Sequence, residues 1–177
     1  MKIEAAVLRL YDETQTGRTM MPQTPLRPRA HYVAWMPITT RWSDNDAYGH
    51  VNNAIYYHWF DTAVNAWLIA AGLLDIAHGD PIGLVVDTRC RYARSVAYPE
   101  PVEIGLALGR LGRSSVTYEL GAFRIGEDQP VAEAAFTHVY VDRTNRRPTP
   151  LPDDWRSKLE TLAPPLADQA PATALSG

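Results

Sequence analysis

The chain has 177 residues, 46% of them hydrophobic and 21% charged, and its 17 basic and 20 acidic side chains give a net charge of −3. This length predicts one domain, and the near balance of charge argues against a dedicated nucleic-acid binder, which would carry a basic excess. The single cysteine, Cys90, excludes an internal disulfide and favours a reducing compartment. Because no apolar run is long enough to span a bilayer, we expect a cytoplasmic protein without membrane contact.

Prolines divide the chain into a folded centre and two looser ends. Most of the 14 prolines fall before residue 31 or after residue 147. Because proline lacks an amide donor and fixes φ, dense proline disfavours regular structure. We therefore predict a loosely ordered extension over residues 1–30 with a short helix at 3–11, a domain over 31–147, and a Pro/Ala-rich tail over 148–177. The tail is expected to hold one helix at 153–162 and a disordered finish.

The centre shows strand and helix patterns in a clear order. Residues 31–41 predict a strand, and residues 53–71 predict a helix that is apolar around most of its circumference and stops at Gly72. Alternating apolar residues then predict four strands at 84–92, 102–108, 116–122 and 131–141. One buried helix wrapped by an antiparallel sheet, an α+β fold, fits this order. Such a sheet leaves a second surface to cover, so we expect a dimer.

Polar chemistry is concentrated between the first strand and the helix. Asp44, Asp46, His50, Asn52 and Asn53 lie within ten residues, directly ahead of the apolar helix. The N-terminus of a helix presents unpaired N–H groups and a positive dipole end, which favour developing negative charge. A carboxylate facing this end could attack a carbonyl or activate water, while the first amides hold an oxyanion. The alternative is purely structural, with Asn52 capping the helix and Asp44, Asn45 and Asp46 forming a turn.

The run Asp44-Asn45-Asp46-Ala47-Tyr48-Gly49-His50-Val51-Asn52-Asn53 resembles the signature of hotdog-fold thioesterases of the 4-hydroxybenzoyl-CoA thioesterase type. The likeness is strongest to bacterial acyl-CoA thioesterases that carry a Gly-His-Val-Asn-Asn run. It extends over about residues 31–150 and includes the turn Tyr98-Pro99-Glu100-Pro101. The resemblance implies a hotdog fold, in which an antiparallel sheet wraps one long helix. It also implies hydrolysis of an acyl-CoA in a homodimer or a dimer of dimers, with no metal and no cofactor.

The resemblance also implies roles for single residues. Asp46 matches the catalytic carboxylate, which acts as nucleophile or as general base, and the amide that polarises the thioester carbonyl falls at or next to Asn53. His50 matches a histidine implicated in catalysis in plant acyl-carrier-protein thioesterases, although Tyr48 stands where those enzymes have asparagine. We expect substrate contacts from Tyr48, Asn52, Tyr56 and Trp59.

The remaining reactive side chains receive simpler interpretations. Arg89, Arg91 and Arg113 are candidates for gripping the phosphates of CoA, with a solvated charged face as the alternative. Cys90 alternates with apolar neighbours and is interpreted as a buried filler. His138 is expected to be a hydrogen-bonded structural histidine. The scattered histidines have no carboxylates at ligand spacing, so no metal site is predicted.

Two other functions stay open. Acyl groups on an acidic acyl-carrier protein are a second substrate class, with the basic stretch 89–113 as the docking face. A non-catalytic acyl-CoA-binding module is a third possibility, although the extension lacks the helix-turn-helix pattern that would join such a module to DNA. The sequence does not identify the acyl chain.

Overall fold

Five antiparallel strands and one long helix dominate the computed structural model, which describes residues 25–165. In chain order the elements are β1 (Ala34–Ile38), α1 (Asn53–Ala70), β2 (Ile82–Tyr92), β3 (Val102–Leu111), β4 (Ser115–Arg124), β5 (Ala132–Val141) and α2 (Asp153–Glu160). The strands form one sheet in the order β1-β3-β4-β5-β2, so β1 and β2 are its edges. The predicted α+β fold, an antiparallel sheet with a long helix against one face, is confirmed.

Helix α1 supplies the centre of the core. Tyr56, Phe60, Val64 and Leu68 recur every fourth residue and are all buried, in one cluster with residues of β3, β4 and β5. The helix stops where the sequence predicts, because Gly72 takes a φ of +67° and the N–H of the next residue donates to Leu68 O at 2.8 Å. Within residues 25–165, no helix has both the length and the apolar character needed to cross a membrane.

The first predicted strand is wrong at both ends. Residues 31–41 were expected to be extended, but β1 covers only Ala34–Ile38. Short 3₁₀ turns at Arg29–His31 and Trp42–Asp44 flank it and redirect the chain. The proline within β1, Pro37, has no amide to donate, which is tolerated because β1 lies at the edge of the sheet. The other strands match their predicted positions, and no end differs by more than three residues.

The segment before β1 covers the outer face of the sheet, opposite α1. Tyr32 is buried there, with its ring 5.4 Å from that of Phe123. Gly105 and Gly121 leave the space that it fills, since a Cβ at Gly121 would lie 2.6 Å from Tyr32 Cζ. Arg29 adds an ion pair to Glu103 of β3 at 2.7 Å and stacks on Trp35. The last residues of the predicted N-terminal extension therefore contact the sheet.

The two ends of the chain are only partly described. Residues 1–24, including the predicted helix at 3–11, and residues 166–177 of the predicted tail lie outside the described residues. The predicted helix at 153–162 is found as α2, which is followed by a turn. Its Leu159 and the following Leu162 are buried in the main core. The three proposed segments, 1–30, 31–147 and 148–177, remain a prediction.

We predict that Gly121→Ala destabilises the fold by about 1–3 kcal/mol, because the new methyl group overlaps the Tyr32 and Phe123 rings. Urea unfolding followed by circular dichroism measures the change. Thr117→Ser, on the same face of β4, is the control and should change the free energy of unfolding by less than about 0.5 kcal/mol. Equal stability of Gly121→Ala and the wild type would contradict the tight packing of Tyr32.

Candidate active site

The polar motif forms a short hairpin that is bonded to the start of α1. The Asp44 carboxylate is buried and accepts a hydrogen bond from the Arg41 N–H at 2.7 Å, which closes the 3₁₀ turn. The Asp44 carbonyl accepts from the Asn52 N–H at 2.9 Å. Between them, Asn45 pairs with Val51 in an antiparallel bridge, and the Val51 N–H donates to Val96 O at 2.7 Å. The hairpin is thus fixed both to the helix and to the segment that follows β2.

Asp46 lies at the tip of this hairpin. Its N–H donates to His50 O at 2.8 Å, its carbonyl accepts from the Gly49 N–H at 3.1 Å, and Gly49 takes a φ of +82°. The carboxylate oxygen Oδ1 accepts from the Tyr48 N–H at 2.8 Å. Among residues 25–165, the other oxygen, Oδ2, has no hydrogen-bond partner. One oxygen therefore orients the carboxylate, and the other is available for chemistry.

The amides at the start of α1 are only partly paired within residues 25–165. The Asn52 side chain accepts from the Ala54 N–H at 2.9 Å, and the Asn52 carbonyl accepts from the Ile55 N–H at 2.9 Å. Asn52 is therefore a helix cap, as the structural alternative for this residue expected. The N–H of Asn53, the first residue of α1, has no partner in the described part of the chain. It is the amide best suited to receive a ligand oxygen at the positive end of the helix dipole.

A cleft of about 340 Å³ brings several of the predicted residues together. It is lined by Asp46, His50, Val51, Asn53, Tyr56, Tyr92, Ala93, Arg94 and Ser95. All three residues predicted to be catalytic are among them, together with the predicted substrate contact Tyr56. Burial raises the pKa of Tyr56 to about 12, so its hydroxyl stays protonated at neutral pH.

Tyr92 is a residue of the cleft that the sequence analysis missed. Its hydroxyl donates to the Asn53 carbonyl at 3.0 Å, and its ring packs edge-on against that of Tyr56 at 5.3 Å. Burial raises the pKa of Tyr92 above its usual range, which keeps this donor protonated. The last residue of β2 is thereby connected to the first residue of α1. No local motif marks Tyr92, although the alternation of β2 places it on the same face as Cys90.

Other predicted contacts lie outside this cleft. Tyr48 is 78% exposed at the hairpin tip. Trp59 is buried and lines a neighbouring cavity of about 640 Å³ on the β1 side of α1, with its ring 5.1 Å from that of Tyr56. Arg89 and Arg91 point to the outer face of the sheet, and Arg113 lies in the β3–β4 turn, at the opposite end of the strands from the cleft.

Cys90 and His138 both face the core of the protein. Cys90 is half-buried and packs against the core, and burial raises the pKa of its thiol, which disfavours the reactive thiolate. His138 is buried with its ring 5.2 Å from that of Tyr118, but its Nε2 has no hydrogen-bond partner among the described residues. The expectation of a hydrogen-bonded His138 is therefore wrong for this atom. Within residues 25–165, no three His, Cys, Asp or Glu side chains cluster as metal ligands would.

Comparison with known proteins places this fold among the hotdog-type thioester hydrolases. A profile of the thioesterase-like superfamily matches residues 40–159, so the chain belongs to that superfamily. No protein of curated function matches the sequence.

Solved structures agree with this placement. The PA5185 protein from Pseudomonas aeruginosa strain PAO1 is 48% identical, with a TM-score of 0.76 over 79% of this chain and 98% of that chain. Two more distant structures show the fold alone. A 1,4-dihydroxy-2-naphthoyl-CoA thioesterase from Synechocystis is 18% identical, with a TM-score of 0.64 over 71% of this chain and 93% of that one. The dynemicin thioesterase is 20% identical, with a TM-score of 0.66 over 73% and 96%.

We predict that Asn52→Ala lowers the free energy of unfolding by about 1 kcal/mol, because the Ala54 N–H loses its capping oxygen. Asn52→Asp keeps a capping oxygen and should remain within about 0.5 kcal/mol of the wild type. Urea unfolding of both variants provides the measurement. If the two variants lose stability equally, the capping bond is not what Asn52 contributes.

Proposed function

We propose that this thioester hydrolase acts on acyl-CoA and that the reaction takes place in the cleft at the start of α1. The observation that carries the proposal is the pairing of two unsatisfied groups there, the Oδ2 oxygen of Asp46 and the N–H of Asn53. One can deliver an electron pair to a carbonyl carbon or take a proton from water, and the other can hold the carbonyl oxygen.

The chemistry follows from these two groups. The Asn53 N–H and the helix dipole polarise the thioester C=O and stabilise the oxyanion that forms on attack. In the nucleophilic route, Asp46 adds to the carbonyl carbon, the C–S bond breaks, and CoA leaves as a thiolate that takes up a proton. Water then hydrolyses the acyl-aspartyl anhydride. In the general-base route, Asp46 takes a proton from water as the water oxygen adds to the carbonyl carbon, and collapse expels the same thiolate.

His50 and Tyr92 have supporting parts in this proposal. His50 lines the cleft, and its carbonyl fixes the Asp46 backbone through the 2.8 Å bond. Tyr92 is a positioning residue, since its hydroxyl holds the carbonyl of Asn53 and so orients the first turn of the helix. Tyr56 supplies an apolar wall beside the reacting carbon, which strengthens the electrostatic interactions by excluding water.

A homodimer, or a dimer of dimers, is the second part of the proposal. The edge strand β2 has eleven residues, and Leu84, Val85 and Val86 near its start are 39%, 48% and 60% exposed. A long apolar edge strand with open N–H and C=O groups is suited to pairing with another strand. The identical β2 of a second copy, running antiparallel, would satisfy those groups and bury the three side chains.

Binding of the CoA phosphates by Arg89, Arg91 and Arg113 remains a proposal. None of the three lines the cleft of its own protomer, so under this proposal they serve the cleft of a neighbouring copy. Arg94 is nearer to the reaction, since it lines the cleft and is held by Glu127 at 2.7 Å and by the Gln129 carbonyl at 2.6 Å.

We predict that Asp46→Asn lowers kcat for thiol release from acyl-CoA by about 100-fold or more, because the amide neither attacks nor accepts a proton. A panel of acyl-CoAs with aromatic and straight-chain acyl groups is assayed with a thiol reagent. Asp128→Asn, an exposed carboxylate in the β4–β5 turn, is the matched control and should keep wild-type kcat. Equal rates for Asp46→Asn and the control would refute the assignment.

The same purified proteins also test the two alternative functions, which are an acyl-carrier-protein thioesterase and a non-catalytic binding module. Faster turnover of acyl groups on acyl-carrier protein than on CoA would favour the carrier substrate, and tight acyl-CoA binding without turnover would favour a binding module. A single turnover in ¹⁸O-labelled water tests for the nucleophilic route with attack of water on the aspartyl carbonyl, because only that pathway labels the protein. Hydrolysis of an anhydride at its aspartyl carbonyl places label in the Asp46 peptide, whereas the general-base route places it only in the released acid.

We predict that Val86→Arg shifts the protein from dimer to monomer, because a charged side chain would have to be buried against the second β2. Sedimentation velocity measures the shift. Ile125→Arg, which changes an equally exposed side chain at the end of β4, should leave the dimer intact. A monomeric wild type would refute the dimer, and a dimer that survives Val86→Arg unchanged would place the interface elsewhere.

A further inference from the structure

A groove runs between the edge strand β1 and helix α1. Two cavities form it, one of about 260 Å³ and one of about 640 Å³, and Met36 and Pro37 line both of them. The smaller cavity lies beside residues 63–70 of α1, and the larger one lies beside residues 55–62. We call the two together the β1 groove. Its size is within the range of small-molecule sites.

Small side chains on α1 leave the β1 groove open. Ala63, Ala66 and Ala70 line it at spacings of three and four residues, so they lie along one side of the helix. Opposite them, Met36 of β1 packs against the core but is only half-buried. Pro37 has no N–H, so the free edge of β1 is poorly suited to pairing with a further strand. This part of the groove is therefore suited to a slender apolar ligand.

The end of the β1 groove nearest the 3₁₀ turn is polar and carries a positive charge. Arg41, Ser43 and His58 line it and are exposed. Among residues 25–165, the Arg41 guanidinium has no ion-pair partner. The carboxylate that lines the same cavity, Asp44, is buried and already accepts from the Arg41 N–H at 2.7 Å. The groove thus joins an apolar slot to a cationic end.

Within one protomer the β1 groove is separate from the cleft at Asp46. The Asn52 N–H donates to Asp44 O at 2.9 Å, which ties the hairpin to the start of α1. The ring of Tyr56, which lines the cleft, packs 5.1 Å from the ring of Trp59, which lines the groove. Within residues 25–165, no residue lines both the cleft and the groove.

We infer that the β1 groove binds a long straight-chain carboxylic acid. Its alkyl chain lies along the alanines of α1, where burial of apolar surface stabilises the complex. Its carboxylate pairs with Arg41, whose planar fork of N–H donors matches two carboxylate oxygens. The residues from Ala34 to Arg41 span roughly 20 Å at about 3.3 Å per residue, which favours a long chain. Binding does not use Asp46, so this proposal and the proposed hydrolysis can fail independently.

The first test is calorimetric titration of the full-length protein with dodecanoate below its critical micelle concentration. We expect saturable binding that Ala66→Leu weakens about tenfold or more, because the larger side chain fills the slot. Asn65→Leu, at the neighbouring half-buried position outside both cavities, is the matched control and should bind like the wild type. No saturable binding by the wild type, or equal weakening in the two variants, would overturn the inference.

The charge of the ligand is tested with Arg41→Gln. Dodecanoate affinity should fall about tenfold, because the carboxylate loses its guanidinium partner, whereas binding of the uncharged dodecanol should not change. Arg94→Gln removes the cation of the cleft instead and should leave dodecanoate binding unchanged. Weakening by Arg94→Gln but not by Arg41→Gln would place the acid in the cleft and overturn the inference. If Ala66→Leu fails to fold by circular dichroism, this pair of variants decides.

Chain length and catalysis provide two further comparisons. Hexanoate should bind at least about tenfold more weakly than dodecanoate, because it buries less apolar surface, and equal affinities would contradict the apolar slot. Asp46→Asn should bind dodecanoate like the wild type, whether or not it still releases thiol. Loss of dodecanoate binding in Asp46→Asn would count against a separate site, whereas loss of thiol release alone concerns only the proposed hydrolysis.

Discussion

The position of the first turn of α1 is the constraint on which the cleft depends. The helix cannot slide or tilt easily, because Phe60 and Val64 are fully buried in the sheet and protein interiors are close-packed. The turn is fixed independently by Asn52, whose side chain and carbonyl satisfy two of the first amides. What remains is the N–H of Asn53, held in place by packing several turns further along the helix. Core packing and the Asn52 cap therefore both fix the position of the first turn of α1.

The hairpin that carries Asp46 is joined to this rigid first turn, and it places a carboxylate at the start of the helix. Asp44 uses its carboxylate on the 3₁₀ turn and its carbonyl on Asn52, so the two ends of the hairpin are joined at the helix. The Asn45 side chain accepts from the Tyr98 N–H at 3.0 Å, which joins the hairpin to the turn before β3. Electrostatic stabilisation of an oxyanion is most effective when the donor needs no reorganisation. A carboxylate and an amide held by separate sets of bonds meet that requirement.

Sequence patterns were sufficient for much of this arrangement, and the reasons for the failures are physical. Helix periodicity and strand alternation are local patterns, so they place α1 and β2–β5 within a few residues of their observed ends. The motif over residues 44–53 identifies Asp46 and Asn53 as candidate site residues. The contact of Tyr92 with Asn53 spans 39 positions and that of Arg27 with Glu133 spans 106, and no local rule reports either. The pattern at 31–41 overextends β1, because its start follows Tyr32, which packs on the distant Gly105 and Gly121, and its end precedes the turn closed by the Asp44 carboxylate.

Strand β2 presents three different surfaces, which are its two faces and its free edge. Its alternation sends Cys90 and Tyr92 towards α1 and the intervening Arg91 to the outer face, where it meets Glu133. Its free edge is a third surface, exposed along the apolar start of the strand. A shift of register by one residue would exchange the first two faces, removing Tyr92 from the helix and burying two guanidinium groups in the core. Because burying those charges would cost free energy, the outward arginines disfavour the shifted register. They thereby help to keep Tyr92 in contact with Asn53.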